Sequence, residues 1–257
     1  MHSEHPKVKQ FFPLITESLS KGLNALSDGE SNYEASAIEK YAQDIFSRVS
    51  EIDNAIKSMS IAIEYLKQKN YENSEYSFSE HHTFHVENFL LRLTSVVDRS
   101  YLLAGSTMVM ENHIIEKLGG KRKVSSKLLD FSPRSEAILR KMDDAIEHLR
   151  SPRNKVAHQA GYSRKSLCVL QTIENAEAES ISVREITDIM SYDQIKDAVI
   201  DESIDKFETV LPVIDNLVEK LIDSLSFVYD GLLQLHITSN PSDACGATDF
   251  SVIRQVE

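Results

Sequence analysis

The chain has 257 residues, 41% of them apolar, with eight glycines, six prolines and no tryptophan. That composition suits a folded, helix-rich protein with a sizeable core. A net charge of −12 argues against a general nucleic-acid coat protein, since phosphate affinity comes from Lys and Arg. The two cysteines, Cys168 and Cys245, make neither a disulfide framework nor a thiolate metal site, and no run of about 18 apolar residues offers a membrane span.

Residues 1–30 read as an N-terminal extension with one short helix, Leu14 to Leu26, after Pro13. From Tyr33 to about Lys69 no Gly or Pro intervenes. Ile38, Tyr41, Ile45, Val49, Ile52, Ile56, Met59, Ile63 and Leu66 recur in steps of three and four, predicting one long amphipathic helix. Asn70 to Ser79 reads as a loop, and Ser79 as the cap of a helix from Glu80 to Leu103. His81 and His85 stand one turn apart, a metal-ligand spacing, but no Cys follows and His-Glu-x-x-His is absent. A histidine-rich helix start is the simpler reading, and no metal is expected. Met108 to Leu118 reads as a further helical piece stopped by Gly119-Gly120. Lys121-Arg122-Lys123 then opens a basic loop running to Lys127, read as a solvated turn.

Ser132-Pro133 opens a helix over 134–149 whose inward stripe is Ile138, Met142, Ala145, Ile146 and Leu149. A new helix is then expected at Ser151, with the Ser hydroxyl as cap and Pro152 at the first helical position. Gly161 should close it. Beyond it, Leu167 to Ile173 and Ile181 to Ile186 read as a possible small β-hairpin, with Cys168 as a buried small hydrophobe. A final long helix, capped by Ser191 or Asp193, is predicted to end near Leu235 and to bend at Pro212. The tail, 237–257, is expected to be loosely ordered. The fold class is therefore all-α: a bundle of four to five long helices spanning 31–236.

The chemistry gathers in Ser151-Pro152-Arg153-Asn154-Lys155-Val156-Ala157-His158. This octet holds a fixed cation, an amide and a group that titrates near neutrality. On a helix Asn154 and His158 share a face, whereas Arg153 and His158 lie about 140° apart. A helix start would add free N–H groups favouring an anion. The surroundings are basic: Gly119 to Lys165 carries 12 Lys or Arg against 5 Asp or Glu, while the rest of the chain has a net charge of −19.

The pattern Arg153, Asn154, three residues, His158 resembles the signature of HEPN domains, small helical bundles found in many microbial ribonucleases, toxins and defence proteins. The resemblance implies a metal-independent endoribonuclease with no cofactor. Arg153, Asn154 and His158 would be catalytic, while Arg150, Lys155, Arg164 and Lys165 would attract the RNA backbone. It also implies a homodimer with paired motifs, and an antitoxin or regulatory protein as a further partner. Position 160 is Ala, where one toxin branch carries a Tyr; the nearest here is Tyr162. A supporting polar group is sought among His85, Glu87, Asn88 and Asp98. The first ten residues lack a signal-type apolar core, so a cytoplasmic setting without membrane contact is expected. The competing reading is a catalytically inactive helical module that binds nucleotide or a partner protein.

Overall fold

The computed structural model describes residues 1–30, 33–158, 161–176 and 181–239. The tail assignment lies almost wholly outside them. Among the described residues every regular element is helical. After a short 3-10 turn, His2–Glu4, come α1 (Pro6–Lys9), α2 (Phe12–Ser27), α3 (Ala37–Leu66), α4 (Phe78–Thr107) and α5 (Asn112–Ile115). Then follow α6 (Gly120–Phe131), α7 (Pro133–His158), α8 (Lys165–Asn175), α9 (Ile181–Ile189) and α10 (Tyr192–Ser239). No described helix is long and apolar enough to cross a membrane.

Contacts divide the chain into two compact units. One takes Met1–Ser50, Tyr101–Glu136 and the stretch from Glu219 onward; the other takes Glu51–Ser100 and Ala137–Val218. In the first, Phe11 is fully buried and meets the rings of Tyr41 and Tyr229 edge-on at 5.9 and 5.4 Å. Burying one such ring contributes about 2–3 kcal/mol. The Tyr229 hydroxyl lies 3.0 Å from that of Thr107, so this buried phenol keeps a polar partner. Gly120 is required sterically: a Cβ there would lie 2.0 Å from the Ile115 carbonyl oxygen.

In the second unit the stripes predicted from periodicity do face inward. Ile52 and Met59 of α3, Val86, Phe89 and Leu93 of α4, and Met142 and Ile146 of α7 are buried. Phe89 stacks on Phe207 of α10 at 3.8 Å. His82 is fully buried, with Nε2 at 3.1 Å from the Ser203 hydroxyl. Burial, followed by the charge of His85, depresses its pKa to about 4. His81 is engaged in stacking on Tyr71 at 3.9 Å, and His85 on Tyr65 at 4.8 Å. Among the described residues no three His, Cys, Asp or Glu side chains are grouped to hold a metal.

Reciprocal Ser–Glu or Ser–Gln caps start three of the long helices. Ser36 pairs with Glu39 and Ser191 with Gln194. At α4 the pair is Ser77 with Glu80, so the cap is Ser77 rather than the expected Ser79; the Ser79 backbone N–H instead donates to Glu174 at 3.2 Å.

Several local assignments are corrected. The basic stretch 121–127 is not a loop but the start of α6, because Gly120, Val124 and Leu128 form a narrow buried stripe at spacing four. Met108 to Leu118 holds only the single turn α5. The hairpin does not form: 165–175 and 181–189 are helices, and residues 177–180 of its intended tip lie outside the described residues. The β-branched run looked strand-like, but burial follows a helical step, with Leu167 and Leu170 inside and Val169 exposed. Cys168, expected inside, is exposed for the same reason.

Candidate active site

Ser151 does not start a helix. The stripe Ile138, Met142, Ile146, Leu149 carries α7 unbroken through Pro152 to His158. An interior proline removes one backbone donor, whose acceptor would be the carbonyl four residues earlier, that of His148. His148 is exposed, so water can take that role. Leu149 is buried and Pro152 partly so, and both line one crevice with Leu90 and Phe207. Side-chain packing of this face outweighs the broken backbone bond.

The motif thus occupies the last two turns of a helix, not its first. This reverses the electrostatics inferred from sequence: a helix C-terminus carries partial negative charge and favours cations. The helix offers no anion-binding N–H groups at the motif, so any phosphate must be held by side chains.

Those side chains fall into two sets. Asn154, Lys155 and His158 are exposed. Glu147, Arg150, Ser151, Asn154 and Lys155 line one open groove. At 100° per residue, His158 continues the face made by Glu147, Ser151 and Asn154. Arg153 points elsewhere, about 140° from His158, and does not line this groove. Its Nη1 donates to Asn154 Oδ1 at 3.2 Å, and its Nε is buried without a hydrogen-bond partner among the described residues.

Of the four basic residues expected to attract RNA, two are already paired. Arg150 makes a close ion pair with Asp143 and another with Glu147 at 2.7 Å. Arg164 is held by a close contact with Glu202. Burial raises the Glu202 pKa, but hydrogen bonds from Ser166 and Arg164 outweigh it and hold the carboxyl below its ordinary value. Lys155 and Lys165 are exposed. Lys155 also lines a second small hollow with Pro152, Gly161, Tyr162 and Arg164.

The chain after the motif is clamped. Gly161 has φ +84°, and a Cβ there would stand 2.9 Å from Glu87 Oε1. That same oxygen accepts the Tyr162 backbone N–H at 2.7 Å. Glu87, one of the four polar candidates on α4, is therefore bonded to this segment. Burial raises the pKa of Tyr162. Tyr162 and Glu202, which shape the crevice beside Pro152, had no recognisable sequence signal, because their partners lie far along the chain.

Comparison with curated proteins and with solved structures returned no match. A family model described as HEPN_Cthe2314-like HEPN matches residues 21–229, which covers the motif, Arg164 and Lys165. This match over most of the chain leads to one assignment: the chain belongs to the HEPN_Cthe2314-like HEPN family.

Proposed function

We propose that the protein is a metal-independent endoribonuclease of HEPN type, working in microbial defence or a toxin–antitoxin pair. The observation that carries the reading is His158, exposed at the end of α7 on the helical face of Asn154 and beside the groove lined by Arg150 and Lys155. Membership of a HEPN family, whose domains are frequently ribonucleases, supports it.

The chemistry follows from those groups. An imidazole takes the proton of a ribose 2′-hydroxyl. The freed oxygen attacks the adjacent phosphorus, the bond to the 5′-oxygen breaks, and a second acid protonates that leaving oxygen. The products are a 2′,3′-cyclic phosphate and a 5′-hydroxyl. A guanidinium stabilises the charge that builds on the phosphoryl oxygens. One imidazole cannot act as base and acid in the same step. Arg153 and His158 also diverge on one helix. The divergence favours a homodimer in which each composite site takes Arg153 from one copy and His158 from the other, and the acid that protonates the leaving oxygen is then a group other than that His158. Asn154 orients the phosphate or the ring, while Lys155 and Lys165, with Arg150 and Arg164 flanking, attract the backbone. The setting is cytoplasmic, with an antitoxin or regulator as the protein partner.

The test is cleavage of end-labelled RNA in excess chelator. Wild type is expected to cut and leave cyclic phosphate ends, and His158→Ala to lose cutting by at least about a hundredfold. Equal rates would reject the site, and 3′-hydroxyl ends would reject the mechanism.

A second reading has its own support. Arg150 and Arg164 are paired with carboxylates, and Arg153 is bonded to Asn154, as in a catalytically inactive module that binds nucleotide or a partner. RNA left uncut by a protein that still co-purifies with a partner would favour it.

A further inference from the structure

Three cations open α6, at the end of a helix where its dipole disfavours positive charge. Lys121, Arg122 and Lys123 occupy its first turn, with no acidic residue beside them there, and the preceding Gly119 gives no side-chain cap. A helix start carries partial positive charge and favours carboxylates, so three cations there repel it. Over Lys117 to Lys127 the chain has five Lys or Arg and no Asp or Glu, in a protein of net charge −12.

Some of these cations are used internally. Lys121 lies over the ring of Tyr101 at 5.1 Å, and Lys127 donates to the Met108 carbonyl at 3.3 Å. Lys117, Arg122 and Lys123 are exposed and make no ion pair with a carboxylate among the described residues. The buried stripe Gly120, Val124 and Leu128 fixes the opposite side of the helix against the protein. At 100° per residue, Arg122 then faces straight out and Lys123 flanks it, with Lys117 in the turn just before.

We propose that Lys117, Arg122 and Lys123 form a contact site for the phosphodiester backbone of RNA, additional to the residues of α7 and α8 named above. The choice of RNA rests on the ribonuclease reading; the need for a polyanion rests on the uncompensated charge. An anionic bilayer is the less suitable occupant. An interfacial helix inserts an apolar face, and that of α6 is already buried in the protein.

The experiment uses full-length protein carrying His158→Ala, so that RNA stays whole, and fluorescein-labelled single-stranded RNA over a salt series in chelator. Neutralising all three residues (Lys117→Gln, Arg122→Gln, Lys123→Gln) is expected to weaken binding about tenfold or more at low salt. It should also flatten the slope of log K against log salt by about 2, at roughly 0.7 per lost contact. The melting temperature should hold or rise, since cations leave a helix start, which separates lost contact from lost fold. A control triple elsewhere (Lys40→Gln, Lys57→Gln, Lys220→Gln) removes the same charge and should leave the slope near wild type. An unchanged slope in the α6 triple, an equal loss in the control triple, or no RNA binding by the starting protein would overturn the inference. So would α6-dependent binding to phosphatidylserine vesicles with RNA binding intact. If binding depends on α6 yet the unsubstituted protein leaves RNA uncut, the nuclease reading falls and this contact site stands.

Discussion

The backbone N–H of Tyr162 donates to Oε1 of Glu87 at 2.7 Å, across 75 positions of sequence. The same carboxylate oxygen stands 2.9 Å from where a Cβ at residue 161 would go. One acidic side chain on α4 therefore fixes the segment that begins three residues after His158. Removing it leaves a backbone donor without its charged acceptor, which costs about 1–3 kcal/mol. Glu87→Ala is expected to lose that much in urea unfolding, and Glu87→Gln distinctly less, since an amide oxygen still accepts. Gly161→Ala should cost at least about 1 kcal/mol from its positive φ alone.

Continuity of α7 through the motif has a direct consequence for two substitutions. At a true helix start, Ser151→Ala would cost about 1 kcal/mol and Pro152→Ala would change little. Within a helix the expectations invert. Ser151→Ala should be near neutral, and Pro152→Ala should stabilise by about 1–3 kcal/mol as the His148 carbonyl regains its donor. Part of that gain is offset by lost packing beside Leu90. Thermal melts of the two variants check it.

Burial of His82 makes stability depend on pH on the acid side of neutrality. Its folded pKa is depressed to about 4 from an ordinary 6.5. The unfolded chain therefore binds this proton first, and the neutral ring stabilises the fold fully only above about pH 6.5. That contribution is lost as pH falls toward 4, and is on the order of 2–3 kcal/mol. His82→Gln, which can still bond Ser203, should flatten the stability profile between those limits. A profile identical to wild type would show that the ring is not the titrating group.

A composite site made from two copies predicts rescue by mixing. Arg153→Ala and His158→Ala are each expected to be inactive on RNA. When the two are unfolded together and refolded as a mixture, hetero-pairs contain one site with both residues intact. Activity should return to about a quarter of wild type, because half of the pairs are mixed and each holds one of two sites. A mixture as inactive as its components would place both residues in the site of a single copy.

The long helices were legible in the chain because their signals are local and repeated. Ile52 and Met59, or Val86 and Leu93, announce a buried face several times over. The same logic failed where a signal occurred once. Ser-Pro is a good helix start in isolation, and only the packing of Leu149 and Pro152 around Leu90 carries α7 through it. Leu167 to Ile173 favours a strand by residue type, and only the three-residue step of its buried leucines makes it a helix.

By itself the sequence determined the helical class, the placement of the four longest helices and the HEPN-type motif. These depend on period, residue type and spacing along one segment. Tertiary structure alone decided that the motif ends a helix, that Arg150 and Arg164 are spent on Asp143 and Glu202, and that Glu87 grips Tyr162. A pairing between distant residues leaves no periodic mark in the chain. It arises only when packing of the apolar stripes has brought those side chains within hydrogen-bonding distance.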